Sequence, residues 1–301
     1  MKKEHYISLS SISGLKVKVS TLGARICSIV GETSKGPLEF HEYYPSIDVY
    51  RNTRKFSGAT IGPYANRIAN SSFSINGTKF ALESNENTSC LHSGSKGFHH
   101  QIWTIQHQNE YSITFTLNLA HLEDGFPGNR TIKCKYTLVD DDILIQWEAN
   151  TDQTTHFNFT NHAYFNLGLL DNLDDHFFMI KSKAVLELND QKLPTGNQLE
   201  LDNYFELNTF QRVGKRVFDH NFILNGADIH NLSAAAYCPE TDVTLEVYTT
   251  QPGIQFYTGN GKYFCFETQH FPDTPNQPSF PSTIIKPSGT YKQQCIYRFD
   301  Y

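Results

Sequence analysis

The sequence has no two cysteines in a CxxC arrangement; its six, at positions 27, 90, 134, 238, 265 and 295, are scattered singly along 301 residues. That excludes a zinc ribbon and a compact disulfide scaffold, and reduced thiols are expected. Positive charge is also short: 25 Lys and Arg stand against 31 Asp and Glu, giving a formal net charge of -6. A chain so balanced offers no basic face for nucleic acid or an anionic membrane. No apolar run approaches the length of a bilayer span, and the start, MKKEHYISLSSISG, is basic without the apolar stretch of a secretory leader. A cytoplasmic protein acting on a neutral or polar small molecule is therefore expected. Sequons such as those at Asn70 and Asn158 carry no weight without a leader.

Helical periodicity is almost missing, with at most a short turn near LSAAAY. What the chain has is aromatic residues, 22 Phe and 16 Tyr, and period-2 alternation, both of which favour strands. Leu15, Val17 and Val19 alternate with Lys16 and Lys18. Asn76-Gly77 lies between two alternating runs in SFSINGTKF, a strong hairpin signal. SITFTLNL, TIKCKYTL and DILIQWEA read as strands, the last two joined by an acidic turn at 140–142. VTLEVYT, IQFYTG, YFCFETQ and QQCIYRF continue the pattern. The fold class is all-β, and so many long strands point to one large antiparallel β-sandwich domain covering 1–301. The Pro-rich stretch HFPDTPNQPSFPS, at 270–282, has strands on both sides and reads as an ordered rim loop.

FNFTNHAYFNLG, residues 157–168, is unusual chemistry for a strand. Alternation puts Phe157, Phe159, Asn161, Ala163, Phe165 and Leu167 on one face and Asn158, Thr160, His162, Tyr164 and Asn166 on the other. The second face is either a solvated surface or a polar shelf suited to a polyhydroxylated ligand. In KYFCFETQ, Glu267 follows Phe264 and Phe266, so it either points to water at an edge or is a buried carboxylate with a raised pKa. Arg67 in PYANRIAN, His92 in SCLHSGSKG and Asp219 beside His220 in RVFDHNFIL are each weak signals alone. Thirteen histidines raise a metal site, yet no HExxH occurs, and the adjacent His99 and His100 would diverge on a strand.

Seven stretches in order, ANRIAN, LHSG, DGFPGN, FNFTNHAYFNLG, FDHNFIL, PGIQFYTGN and FETQHFPDTPNQPSFPSTII, resemble the aldose 1-epimerase, or galactose mutarotase, family from about residue 15 to the C-terminus. The resemblance implies a large all-β sandwich that interconverts the α and β anomers of free aldoses without metal or organic cofactor. It implies that His162 is the general acid toward the ring oxygen and Glu267 the general base on the C1 hydroxyl. Substrate-binding positions implied in the same way are Asn66, Arg67, His92, Tyr164, Asp219 and Gln255. The chemistry independently asks for such a pair. Opening a hemiacetal removes the anomeric O–H proton while protonating the ring oxygen, and each positioned group contributes roughly 10²- to 10⁴-fold. With ordinary protonation order, the acidic limb of the pH profile belongs to the carboxylate base.

Two departures stand out. LHSG replaces the commoner double-glycine form, and only GKYFC separates QFYTGN from FETQ, which affects one wall of a sugar cleft. Two alternatives remain: a phosphohexose epimerase, which would want Arg51, Arg54 and Arg67 clustered around a phosphate, and a non-catalytic sugar-binding protein on the same fold. A small-molecule aldose is the expected partner, and a monomer or homodimer the expected state.

Overall fold

Alternation becomes sheet wherever one side of a strand can be buried. The structure, a computed structural model, describes residues 4–53, 55–259 and 261–301. Its largest sheet has nine strands, all neighbours antiparallel, with Ser112–Leu119, Arg130–Val139, Asp142–Thr151 and Tyr291–Asp300 running side by side. Along Arg130–Val139, buried residues alternate strictly with more exposed ones, so the inner face carries Ile132, Cys134 and Tyr136. These pack in one cluster with Val17 and Ile29 of a four-stranded N-terminal sheet and with Phe222, Phe256 and Phe266 of a five-stranded sheet. The architecture is the expected antiparallel sandwich.

Local signals hold at several points. Asn76 and Gly77, at φ 51° and 81°, form the two-residue turn between Ser72–Ile75 and Thr78–Ala81, as a turn with both central residues left-handed requires. The Pro-rich segment is ordered: Tyr64 Oη donates to the Phe271 carbonyl at 3.0 Å, and Asp273 Oδ1 accepts from Ala69 N at 2.9 Å. All six cysteines are buried and unpaired. No helix among the described residues is long and apolar enough to cross a membrane.

Three expectations are corrected. LSAAAY is not helical: Leu232–Cys238 is a strand paired on both sides, with its three alanines fully buried. Among the described residues the α-helix lies instead at Ile47–Asn52, N-capped by Ser46. His99 and His100 do not diverge on a strand; they close a 3₁₀ turn, Phe98–His100, with ring centroids 4.2 Å apart.

The third correction concerns residues 157–168. Only Thr160–Asn161 forms a short strand, paired with Thr60–Ile61. The rest is extended backbone bonded residue by residue to different neighbours: Asn158 N to Pro63 O, His162 N to Ala59 O, and Phe165 N to Phe264 O. The alternation is real, since Phe157, Phe159, Ala163, Phe165 and Leu167 join the main core. Asn161 departs from it, donating its amide to the Gly58 carbonyl and to Tyr136 Oη. The opposite face is buried too, which explains both why the segment looked odd and why no solvated face exists.

Candidate active site

The five-stranded sheet supplies the floor. In register, Asn221 faces Gln255 and Gln255 faces Glu267; one step along, Asp219 faces Tyr257 and Tyr257 faces Cys265. Residues directly opposite, or two apart, share a face. Asp219, Asn221, Gln255, Tyr257 and Glu267 therefore all project to one side, and Phe222, Ile254, Phe256 and Phe266 to the core side. The apolar neighbours that made Glu267 conspicuous are the other half of the same alternation.

Above this floor lies a pocket of about 270 Å³, small enough to suit a single pyranose-sized ligand. His162 and Tyr164 reach it from the 157–168 segment; Asn66, Arg67 and His92 come from the turns opposite. Nε2 of His162 is 3.5 Å from Oε1 of Glu267, and both residues are about 95% buried. The imidazole is fixed in place by aromatic rings: Tyr164 stacks on it at 4.9 Å, Phe56 lies at 5.5 Å and His92 meets it edge-on at 5.3 Å.

Burial dominates the electrostatics. It lowers His162 to about 4 and, reinforced by the charge of Asp219, raises Glu267 well above the ordinary carboxylate range, with Arg67 opposing. Burial also lowers His92 far below its usual value, helped by His162 and His99. For Asp219 burial acts upward, but Lys192, Arg67 and Gln255 outweigh it, and the carboxylate stays below its ordinary value.

The LHSG turn shows why glycines are dispensable there. His92 and Ser93 sit at φ 51° and 65°, a region that disfavours a β-carbon. His92 N donates to Asn66 O at 3.0 Å and Asn66 N donates back to His92 Nδ1 at 3.1 Å. Ser93 Oγ accepts from Tyr64 N at 2.8 Å and donates to Tyr64 O at 3.0 Å. These bonds hold the strained turn.

They also fix a tautomer. A backbone N–H can only donate, so Nδ1 of His92 accepts and the neutral ring carries its proton on Nε2. One ligand atom from each of His92, His162 and Glu267 lies within 4.8 Å of the other two, a trio that metal-site spacing in the sequence did not single out. With its free lone pair already used at Nδ1, His92 presents a hydrogen-bond donor, not a metal ligand, to the pocket.

Seven of the eight site residues named from the sequence line this pocket. Gln255 lies beneath it and acts through Asp219, donating from Nε2 to Oδ1 at 2.9 Å. Arg67 is held by Glu86, which accepts from both Nε and Nη2, the latter at 3.0 Å. The shelf residues Asn158 and Asn166 do not reach the pocket. Their amides donate to the Ala65, His270, Leu170 and Lys262 carbonyls.

Sequence reading missed Lys55, Glu86, Lys192 and Tyr257, which also line the pocket. Lys55 is bound to Glu42, and Lys192 Nζ lies 2.7 Å from Asp219 Oδ2. No local signal marks them, because each partner is 13 or more residues away. The short GKYFC connection brings Tyr263 within 5.8 Å of the Lys55 ammonium, and Asn260 before it lies outside the described residues. Arg51 pairs with Glu4 and does not line the pocket; Arg54 lies outside the described residues.

The family model for aldose 1-epimerase matches residues 5–298. The chain belongs to the aldose 1-epimerase family. Galactose mutarotase from Bos taurus is 33% identical over 316 residues, covering 95% of this chain and 91% of that protein. Aldose 1-epimerase from Escherichia coli K12 is 28% identical, covering 97% and 94%. In fold, a GalM/aldose epimerase homologue from C. elegans superposes with a TM-score of 0.95 over 99% of both chains at 22% identity. Members of this aldose 1-epimerase family are isomerases, and the buried acid–imidazole pair sits where the family motifs meet.

Proposed function

We propose that this family member is a mutarotase that interconverts the α and β anomers of free aldohexoses such as galactose and glucose. Glu267 takes the proton from the C1 hydroxyl and His162 gives one to the ring oxygen. The C1–O5 bond breaks, the open aldehyde turns about its C1–C2 bond, and reclosure runs the same two transfers backward on the other face. One proton leaves the sugar and one enters it, so nothing is consumed. The observation that carries this reading is the 3.5 Å contact of His162 Nε2 with Glu267 Oε1 inside a sugar-sized pocket.

The remaining residues take hydroxyl-binding roles: Arg67 and His92 donate, Asp219 accepts from sugar hydroxyls, and Asn66 and Tyr164 line the ring. Gln255 supports Asp219 from below. Neither metal nor organic cofactor enters the chemistry, and the chain acts as one cytoplasmic domain, a monomer or homodimer.

Charge favours a free over a phosphorylated sugar. Among the described residues, each of the three Lys and Arg side chains lining the pocket already faces a carboxylate: Lys55 with Glu42, Arg67 with Glu86, Lys192 with Asp219. A phosphate dianion needs unmatched positive charge, whereas a neutral sugar needs paired donors and acceptors.

Polarimetry of freshly dissolved α-galactose, α-glucose and glucose 6-phosphate, with protein dialysed against EDTA, tests all of this. Faster approach to equilibrium for the free sugars is expected. A higher kcat/KM for the phosphate ester, or activity lost to EDTA and restored by zinc, would overturn it.

A further inference from the structure

The Ser182–Leu188 strand adjoins Asp219–Leu224 in the site sheet and turns back into Pro194–Leu199 through residues 189–193. Lys192 occupies the left-handed position of that turn, at φ 59°, which a β-carbon disfavours. The turn is held in this shape by Asn189. Its Oδ1 accepts from Gln191 N at 2.9 Å and Leu193 N at 3.1 Å, and its carbonyl accepts from Lys192 N at 2.9 Å. So constrained, Lys192 reaches Asp219 Oδ2 at 2.7 Å while keeping 57% of its side chain exposed.

Both oxygens of Asp219 thus have a donor, Lys192 on Oδ2 and Gln255 on Oδ1. Each oxygen keeps a lone pair and the ammonium keeps two N–H groups. A carboxylate beside an ammonium matches a hydroxyl, which donates and accepts at once. Asp219 lies two strands across the sheet from Glu267, roughly 10 Å between backbones at the usual strand spacing. A ring whose anomeric carbon faces Glu267 therefore turns its far hydroxyls toward this pair.

We propose that Lys192 is a specificity-determining residue of the sugar pocket, reading with Asp219 the ring hydroxyls farthest from the anomeric carbon. This deepens the mutarotase reading and rests on it. An exposed lysine in a strained turn is an ordinary surface residue by sequence; its seat on Asp219, a carboxylate of the sugar pocket, is what gives it the role.

The test uses the full chain with Lys192→Met and Lys192→Arg, measuring affinity for D-galactose and D-glucose by calorimetry and turnover by polarimetry. These sugars differ only at C4. In Lys192→Met, Kd should rise about tenfold, the loss of one charge-assisted hydrogen bond, unequally for the two epimers, with kcat within about threefold. Lys192→Arg should restore most of the affinity. The same Met substitution in an Asp219→Asn background should still weaken binding, because a lysine that only held Asp219 would have no further effect there. Unchanged or tighter binding in Lys192→Met, or an effect that vanishes in the Asn background, overturns the role of Lys192 while leaving mutarotation intact. If the parent protein neither binds nor turns over either sugar, the mutarotase reading fails, and this inference with it.

Discussion

His162 Nε2 faces Glu267 Oε1 across 3.5 Å in the buried pocket. A neutral imidazole beside a protonated carboxyl holds the same number of protons as an imidazolium beside a carboxylate. Burial disfavours both charged forms, lowering His162 to about 4 and raising Glu267, so the resting pair is neutral and the ionic pair is its redistributed form. Either form carries no net charge into the pocket, which suits a neutral substrate.

The pH profile follows from that count. Activity needs the singly protonated pair, so kcat/KM should be bell-shaped with macroscopic limbs. On the acid side the pair gains a proton at His162, near pH 4; on the alkaline side it loses the proton of Glu267 above the usual carboxylate range. The acid limb thus belongs to the imidazole, the reverse of the order expected from ordinary values. A profile of kcat/KM from pH 3.5 to 10 checks this, and an acid limb centred near the free-histidine value of about 6.5 would contradict it.

Legibility divided along physical lines. Ser112–Leu119, Arg130–Val139 and Asp142–Thr151 were readable because each has one face in the core and one nearer to water. The 157–168 segment was readable only in its alternation, because both of its sides are buried and its hydrogen bonds go to scattered partners. Family motifs supplied the eight site residues. Lys192 and Glu86 stayed hidden, since their partners Asp219 and Arg67 lie 27 and 19 residues away and turn residues of mixed polarity look alike in any surface loop.

Ser93 offers a stability test of the LHSG departure. Ser93→Ala keeps the left-handed strain and loses both bonds to Tyr64, whereas Ser93→Gly loses the same bonds but relieves the strain. Ala should cost roughly 1–3 kcal/mol, as buried bonds do, and Gly about 1 kcal/mol less. Urea unfolding of the two variants decides, and an Ala variant as stable as Gly would show that the turn is unstrained.

Buried histidines make acid sensitivity a property of the fold. Burial lowers His156, His162, His176 and His270 each to about 4 and His41 to about 3. The unfolded chain binds their protons near 6.5 and the folded chain does not. Their stabilising effect is therefore full above pH 6.5 and lost progressively as pH falls toward 4, by up to about 1.4 kcal/mol per pH unit per histidine. Raised carboxyls such as Glu267 and Glu39 act in the opposite sense but are fewer. Tm should fall steeply between pH 6.5 and 4.5; a flat Tm across that window would mean that these rings are hydrated.

Substitution separates binding from chemistry at the central pair. Glu267→Gln keeps the shape and a hydrogen-bonding amide against the C1 hydroxyl but cannot accept its proton. His162→Gln keeps a polar group between Tyr164 and Phe56 but cannot deliver one. If the two act as a unit, each variant should lose at least about a hundredfold in kcat, and the double variant should lose little more than either alone, because half a proton relay is as idle as none. Sugar affinity should change by no more than a few-fold in all three, since the hydroxyl-binding residues Arg67, His92 and Asp219 are untouched. Polarimetry gives the turnover and calorimetry the affinity. If Glu267→Gln lost affinity yet kept kcat within a few-fold, Glu267 would be a clamp and not the base. Among the described residues, Asp219 and Glu86 are the other carboxylates in the pocket, but Asp219, with Lys192 and Gln255 on its two oxygens and a lowered pKa, is a poor proton acceptor near neutrality, and Glu86 is tied to Arg67, so that outcome would leave the pocket without a ready base.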